Sequence, residues 1–87
     1  MNHREAFGYV LREIRTAKRM SQDELAYQAG INRTYVSILE LGQKSPTLDV
    51  IFKLANGLGL SPSDLLGKTE SLMSYKKNAG HNSQRSP

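Results

Sequence analysis

The sequence predicts an all-α chain of five helices, and three observations carry that prediction. Apolar residues recur at three- and four-residue spacing in successive segments, a capping residue stands before most of those segments, and glycine or proline punctuates the joins between them. Residues 5–19 form the first helix, about four turns long, with Phe7, Val10, Leu11, Ile14 and Ala17 along one face. Arg12, Arg15, Lys18 and Arg19 crowd its C-terminal half. The helix dipole favours cations there, so part of that cluster needs no ligand to explain it.

Met20 leads to a second helix that opens at Ser21. The serine hydroxyl can accept from a free backbone N–H while Glu24, three residues on, reaches back to cap Ser21. Leu25, Ala26 and Ala29 make a narrow apolar stripe whose two small side chains let another helix come close. Gly30 ends the helix in the left-handed conformation that glycine enters without steric cost. Ile31 turns inward, and Asn32 caps a third helix running from Arg33 to about Leu41. Val36, Leu39 and Glu40 share its inner face. Arg33, Thr34 and Ser37 stay outside, with Tyr35 or Ile38 beside them.

After Gly42 the segment Gln43–Pro46 is a loop, because Pro46 lacks a backbone donor and pushes Ser45 out of helical geometry. Thr47 caps a fourth helix, 48–58, with Leu48, Ile51, Leu54, Ala55 and Leu58 facing inward and Gly57 and Gly59 loosening its end. Ser61, Pro62 and Asp64 are the cap, first position and first-turn acid of a fifth helix, which holds Leu65 and Leu66 and stops at Gly67. Residues 1–67 are thus expected to fold and 68–87 to form a basic, largely flexible tail, disordered from about Lys76, with Leu72, Met73 and Tyr75 its small apolar cluster.

At 87 residues the chain is one small domain with a marginal core, to which a partner subunit would add stability. There is no cysteine for a disulfide or a thiolate metal site. Neither a signal peptide nor a membrane-spanning stretch is visible, which points to the cytoplasm. The net charge of +4 is unevenly placed. Residues 1–67 carry eight Lys or Arg against seven Asp or Glu, whereas beyond them Lys68, Lys76, Lys77 and Arg85 face only Glu70. Overall basicity is therefore weak support for nucleic acid, and the position of each charge has to carry the case.

Residues 21–42 read as a helix-turn-helix: a two-turn helix, a glycine turn and a polar second helix led by arginine. An ordinary αα-hairpin is the bland alternative. In a helix-turn-helix the side chains nearest the start of the second helix reach base edges in the major groove. The whole pattern resembles the Cro/CI-type (lambda-repressor-like) helix-turn-helix domain of the XRE family of bacterial and phage regulators. The resemblance covers roughly residues 7–67 and rests on Leu11, Arg12 and Arg15, Ser21-Gln22, Leu25-Ala26, Gly30-Ile31, Val36-Ser37, Leu39-Glu40, Gly42, Ser45-Pro46-Thr47, Leu54-Ala55, Leu58 and Asp64-Leu65-Leu66. Arg33-Thr34-Tyr35 is also similar to the recognition-helix start of restriction-modification controller proteins, small stand-alone dimers within that family.

The resemblance implies a five-helix domain without cofactor or metal that binds double-stranded DNA. Arg33 can pair with O6 and N7 of guanine, or else reach a phosphate; Thr34, Ser37 and Asn32 complete the set expected to contact bases. Gln22, Tyr35, Lys44 and Thr47 are the expected phosphate contacts, with packing an alternative for Tyr35. Arg15 and Glu40 correspond to a structural ion pair of the family. Ile38 and Leu41 stand where phage repressors often carry polar residues, which argues against base contacts from the second turn and permits a partner surface. Because one such domain touches few base pairs, a homodimer is required; Leu65, Leu66, Leu72 and Met73 are its expected interface, presenting two recognition helices about 34 Å apart to a pseudo-palindrome.

The function that follows is regulation of transcription, as repressor or activator, by sequence-specific binding. A different class, an antitoxin or other module that binds a protein partner through the C-terminal tail and DNA secondarily, is permitted by the basic residues 68–87. A binder by charge alone, without sequence choice, is a milder rival. An enzyme is not expected: His3 and His81 are the only histidines, and both stand in terminal segments.

Overall fold

Polar side chains folded back onto backbone N–H groups set where the helices begin. In the computed structural model, which describes the backbone of residues 1–78 and side chains through residue 74, the helices are α1 (His3–Ala17), α2 (Gln22–Ala29), α3 (Arg33–Glu40), α4 (Leu48–Leu58) and α5 (Pro62–Asn78). Ser21 and Glu24 form the expected capping box at α2, Asn32 Oδ1 accepts from the N–H of Thr34 at 2.7 Å, and Thr47 Oγ1 accepts from that of Val50 at 3.1 Å. Ser61 Oγ does the same for Asp64 at 3.0 Å. The first helix starts earlier than its apolar stripe suggests, because Asn2 and Glu5 make a second capping box ahead of it.

Several expectations are corrected. The fifth helix does not stop at Gly67 but runs on to Asn78, taking in residues 76–78, where disorder was expected. A glycine inside a helix costs about 1 kcal/mol relative to alanine. Here that cost is offset by packing, since Thr69 is buried with its hydroxyl donating to the Leu65 carbonyl and Leu72 lies against the core. Residues 79–87 of the expected tail lie outside the described residues. Leu48 is 66% exposed although it shares the angular stripe of Ala55; it is the first residue of α4. Leu65, expected at a subunit interface, is fully buried in its own domain. Ala17, too, is exposed at the end of α1.

The core is built from every helix, with Leu11, Leu25, Val36, Leu39, Leu54, Leu58 and Leu65 its largest fully buried side chains. Two glycines let the short helices approach. A Cβ at Gly8 of α1 would run into the carbonyl oxygens of Leu39 and Glu40, so α3 docks its C-terminal end directly onto α1 backbone. Gly57 does not loosen α4 as expected from its position; a Cβ there would stand 3.0 Å from the Ala29 nitrogen of α2. Arg19, between α1 and α2, holds φ at 59° without being glycine. Left-handed geometry at such a residue costs about 1–2 kcal/mol.

The same end of α3 carries the principal ion pair. Arg15 donates from Nε to Glu40 Oε2 at 2.6 Å and from Nη2 to Oε1 at 3.0 Å, while Nη1 donates to the Met20 carbonyl at 2.7 Å. The side chains are 11% and 4% exposed, so two charges have left water and depend on each other. Hydrogen bonding to Glu40 raises the Arg15 pKa above its ordinary value; burial opposes this and Coulomb attraction adds to it. A base with a raised pKa contributes stability below its unfolded pKa and loses it as pH rises through the folded one, so this contribution is constant across the neutral range.

Three stability outcomes are expected in urea denaturation. Arg15→Ala or Glu40→Ala should each cost about 3–5 kcal/mol, because each strands the other charge. Gly8→Ala should cost about 1–3 kcal/mol by forcing α3 off α1. Arg19→Gly should stabilise by about 1 kcal/mol by relieving the left-handed turn; no gain would mean that the turn is not strained.

Candidate nucleic-acid interface

Glu40 is also where the structural ion pair meets the exposed end of the motif. Its Oε1 accepts a second bond, from Gln22 Nε2 at 3.0 Å, and the other end of that amide, Oε1, accepts from Arg33 Nη1 at 3.3 Å. The amide can face only this way, since its flipped form would set an oxygen against a carboxylate and an NH₂ against a guanidinium. Arg33 Nε then lies 3.2 Å from Asp23 Oδ1. A single line of polar contacts thus runs from the Met20 carbonyl through Arg15, Glu40, Gln22 and Arg33 to Asp23, buried at one end and solvated at the other.

The line joins the first turns of two helices. Gln22 is the first residue of α2 and Arg33 the first of α3, and the glycine turn between them brings those starts within side-chain reach. The first N–H groups of a helix have no intrahelical partner; the α2 capping box uses those of Ser21 and Glu24, which leaves those of Gln22 and Asp23 to meet an anion. Gln22 itself keeps one amide hydrogen beyond the one it donates to Glu40.

The residues singled out for base contact fall into two groups. Arg33 and Thr34 are exposed at the start of α3, and Ser37 is half-buried one turn on. Asn32 is exposed but spends its carbonyl oxygen on the cap of α3. Among the residues singled out for phosphate, Gln22 is half-buried in the polar line, and Lys44 and Thr47 are exposed in the loop after α3 and at the head of α4. Tyr35 is partly buried and packs against the core, the alternative the sequence left open. Ile38 is half-buried and Leu41 exposed. Of the expected interface residues other than Leu65, Leu66 is exposed and Met73 half-buried along an open groove of α5 shared with Met1 and Thr69, whereas Leu72 lies in a cleft against Tyr9, Val10 and Ile14 of α1.

Two participants were missed from sequence. Asp23 reads there only as a first-turn acid, and its contact with Arg33 crosses a turn that no helical spacing predicts. His3 Nε2 lies 3.1 Å from Ser45 Oγ, tying the start of α1 to the loop that carries Lys44. Among the described residues no cluster of three or more His, Cys, Asp or Glu could hold a metal, and no helix is long and apolar enough to cross a membrane.

Comparison with known proteins agrees with the fold. The helix-turn-helix family matches residues 11–65. The control protein C.BamHI of Bacillus amyloliquefaciens is 44% identical over 69 residues, spanning 78% of this chain and 85% of its own. The crystal structure of the restriction-modification controller protein C.AhdI from Aeromonas hydrophila superposes with a TM-score of 0.69 at 45% identity, covering 71% of this chain and 94% of that one. The clp gene regulator ClgR from Corynebacterium glutamicum reaches a TM-score of 0.82 at 29% identity over 91% of this chain and 84% of its own. These relatives are named as regulators and control proteins rather than enzymes. With the motif, the five-helix fold and these relatives in agreement, the chain belongs to the helix-turn-helix family of Cro/CI (XRE) type, whose members are DNA-binding regulators of transcription.

Proposed function

We propose that this protein is a homodimeric, sequence-specific regulator of the restriction-modification controller kind, which places α3 in the major groove of a pseudo-palindromic operator and represses or activates transcription there. The observation that carries the reading is the exposed start of α3: Arg33 stands at its first position, held through Gln22 to the buried Glu40–Arg15 pair. An arginine at that point of a recognition helix meets base edges first, and its fork matches O6 and N7 of guanine. Thr34 and Ser37 add weaker base contacts. Gln22, Lys44 and the N–H groups at the heads of α2 and α4 take flanking phosphates, which position the helix without reading sequence.

The dimer forms along α5, where Leu66 and Met73 line an open apolar groove. Leu65 and Leu72 serve the fold of each subunit instead, since Leu65 is buried in the core and Leu72 packs against α1. Two-fold symmetry then sets the recognition helices about 34 Å apart, one helical turn of DNA. The protein acts in the cytoplasm, on chromosomal or mobile DNA.

Arg33→Ala should cost about 1–3 kcal/mol on the DNA site the wild-type protein prefers and relax selection at one base pair, measured by fluorescence anisotropy against random-sequence DNA of the same length. Gln22→Ala should weaken both DNAs through its phosphate contact, and the preferred site somewhat more, because Arg33 loses the amide that holds it. Equal losses on both DNAs for Arg33→Ala would reduce Arg33 to a phosphate contact. Leu66→Glu should shift the sedimenting species from dimer to monomer and weaken operator binding with it; an unchanged dimer would place the interface elsewhere.

A further inference from the structure

We propose that Asp23 is a positioning residue for Arg33: it orients the guanidinium before DNA arrives, so that the end of the fork that faces a guanine is the end left free. This rests on the reading of Arg33 as a guanine contact. A guanidinium has five donors in one plane, and an arginine can offer either its Nε side or its Nη1/Nη2 end to a pair of acceptors. Here Asp23 Oδ1 stands 3.2 Å from Nε as an ion-pair contact on that side of the guanidinium, and Nη1 donates one hydrogen to Gln22 Oε1 at 3.3 Å. The second Nη1 hydrogen and both on Nη2 make no hydrogen bond among the described residues, and it is from these that a pair of acceptors such as O6 and N7 is met.

Asp23 and Gln22 hold the arginine from different sides, and the two supports differ in kind. Gln22 is anchored to the buried carboxylate of Glu40, whereas Asp23 is 79% exposed and reaches Arg33, itself 54% exposed, across open solvent. An exposed pair of this type adds little to folding. Its value lies in the bound state, because a long side chain already confined to one arrangement loses less freedom on binding. Asp23 also places a negative charge at the head of α2, beside the surface that meets phosphates. That charge works against indiscriminate contact of Arg33 with the DNA backbone and leaves base contact as the favoured use of the side chain.

The two effects give Asp23→Ala a signature that simple charge removal lacks. Loss of the carboxylate should leave binding to random DNA unchanged or tighter, while the preference for the selected site falls about three- to tenfold. Asp23→Asn keeps an acceptor oxygen and should recover part of that preference. In the Arg33→Ala background, Asp23→Ala should no longer alter the preference at all. All variants are compared by anisotropy on the selected site and on random DNA, after circular dichroism has verified folding. A preference unchanged in Asp23→Ala would overturn the proposal, and so would a loss that persists without Arg33. If Arg33→Ala weakens both DNAs equally, the guanine reading itself fails and the positioning role falls with it; if Arg33→Ala is selective and Asp23→Ala is silent, only the positioning role fails.

Discussion

The carboxylate of Glu40 is the fixed point of this molecule. Buried at the end of α3, it accepts from Arg15 of α1 through both oxygens and from Gln22 of α2 through one of them, so three helices meet on a single charged group. Such a pair adds less stability than its short distances suggest, because both ions have been taken out of water. Its stronger effect is geometric. A bidentate contact tolerates little rotation, and any displacement of α3 along α1 or of α2 across α3 would leave a buried charge without its partner. The third nitrogen of Arg15 also satisfies the Met20 carbonyl, which fixes the turn into α2.

Apolar packing supplies the approach that this polar network requires. The missing side chain of Gly8 lets the carbonyl end of α3 come down onto α1, and Gly57 lets α4 lie against Ala29 of α2. The helices of the motif have only eight residues each, too few to be stable alone in water. Leu25, Val36 and Leu39 give them their core contacts, and the glycine turn at Gly30, with φ of 74°, sets the angle between them. The free starts of α2 and α3 therefore face the same side as a consequence of packing elsewhere. The proposed function rests on that small surface and not on the fold, which serves many regulators.

The parts of this arrangement that depend on neighbours in the chain were legible in the sequence. The cap at Ser21, the left-handed Gly30, the cap at Thr47 and the full extent of α4 are encoded within four residues of where they act. What failed depended on contacts between distant segments. Gly67 and the polar residues after it look like an ending, but Thr69 and Leu72 find cover against the rest of the domain and carry α5 onward. Leu48 looks like core by helical period, yet in the first turn of α4 it is 66% exposed. The Asn2–Glu5 capping box is the local exception: it lies two residues ahead of Phe7, where the apolar stripe of α1 begins, so the stripe alone does not mark it. At the site, the exposure of Arg33 and Thr34 followed from helical period, and the pairing of Arg15 with Glu40 from resemblance to the family. The links through Gln22 to Arg33 and on to Asp23 depend on side-chain conformations across a turn, which periodicity does not encode.

Whether the surface so built reads sequence is most directly tested by selecting random duplex oligonucleotides with the purified full-length protein at near-physiological salt and sequencing the bound pool. The account predicts a two-fold symmetric motif whose half-sites lie about one helical turn apart, with a guanine at equivalent positions in each half. A pool without enrichment, or one enriched for a single unpaired half-site, would contradict it.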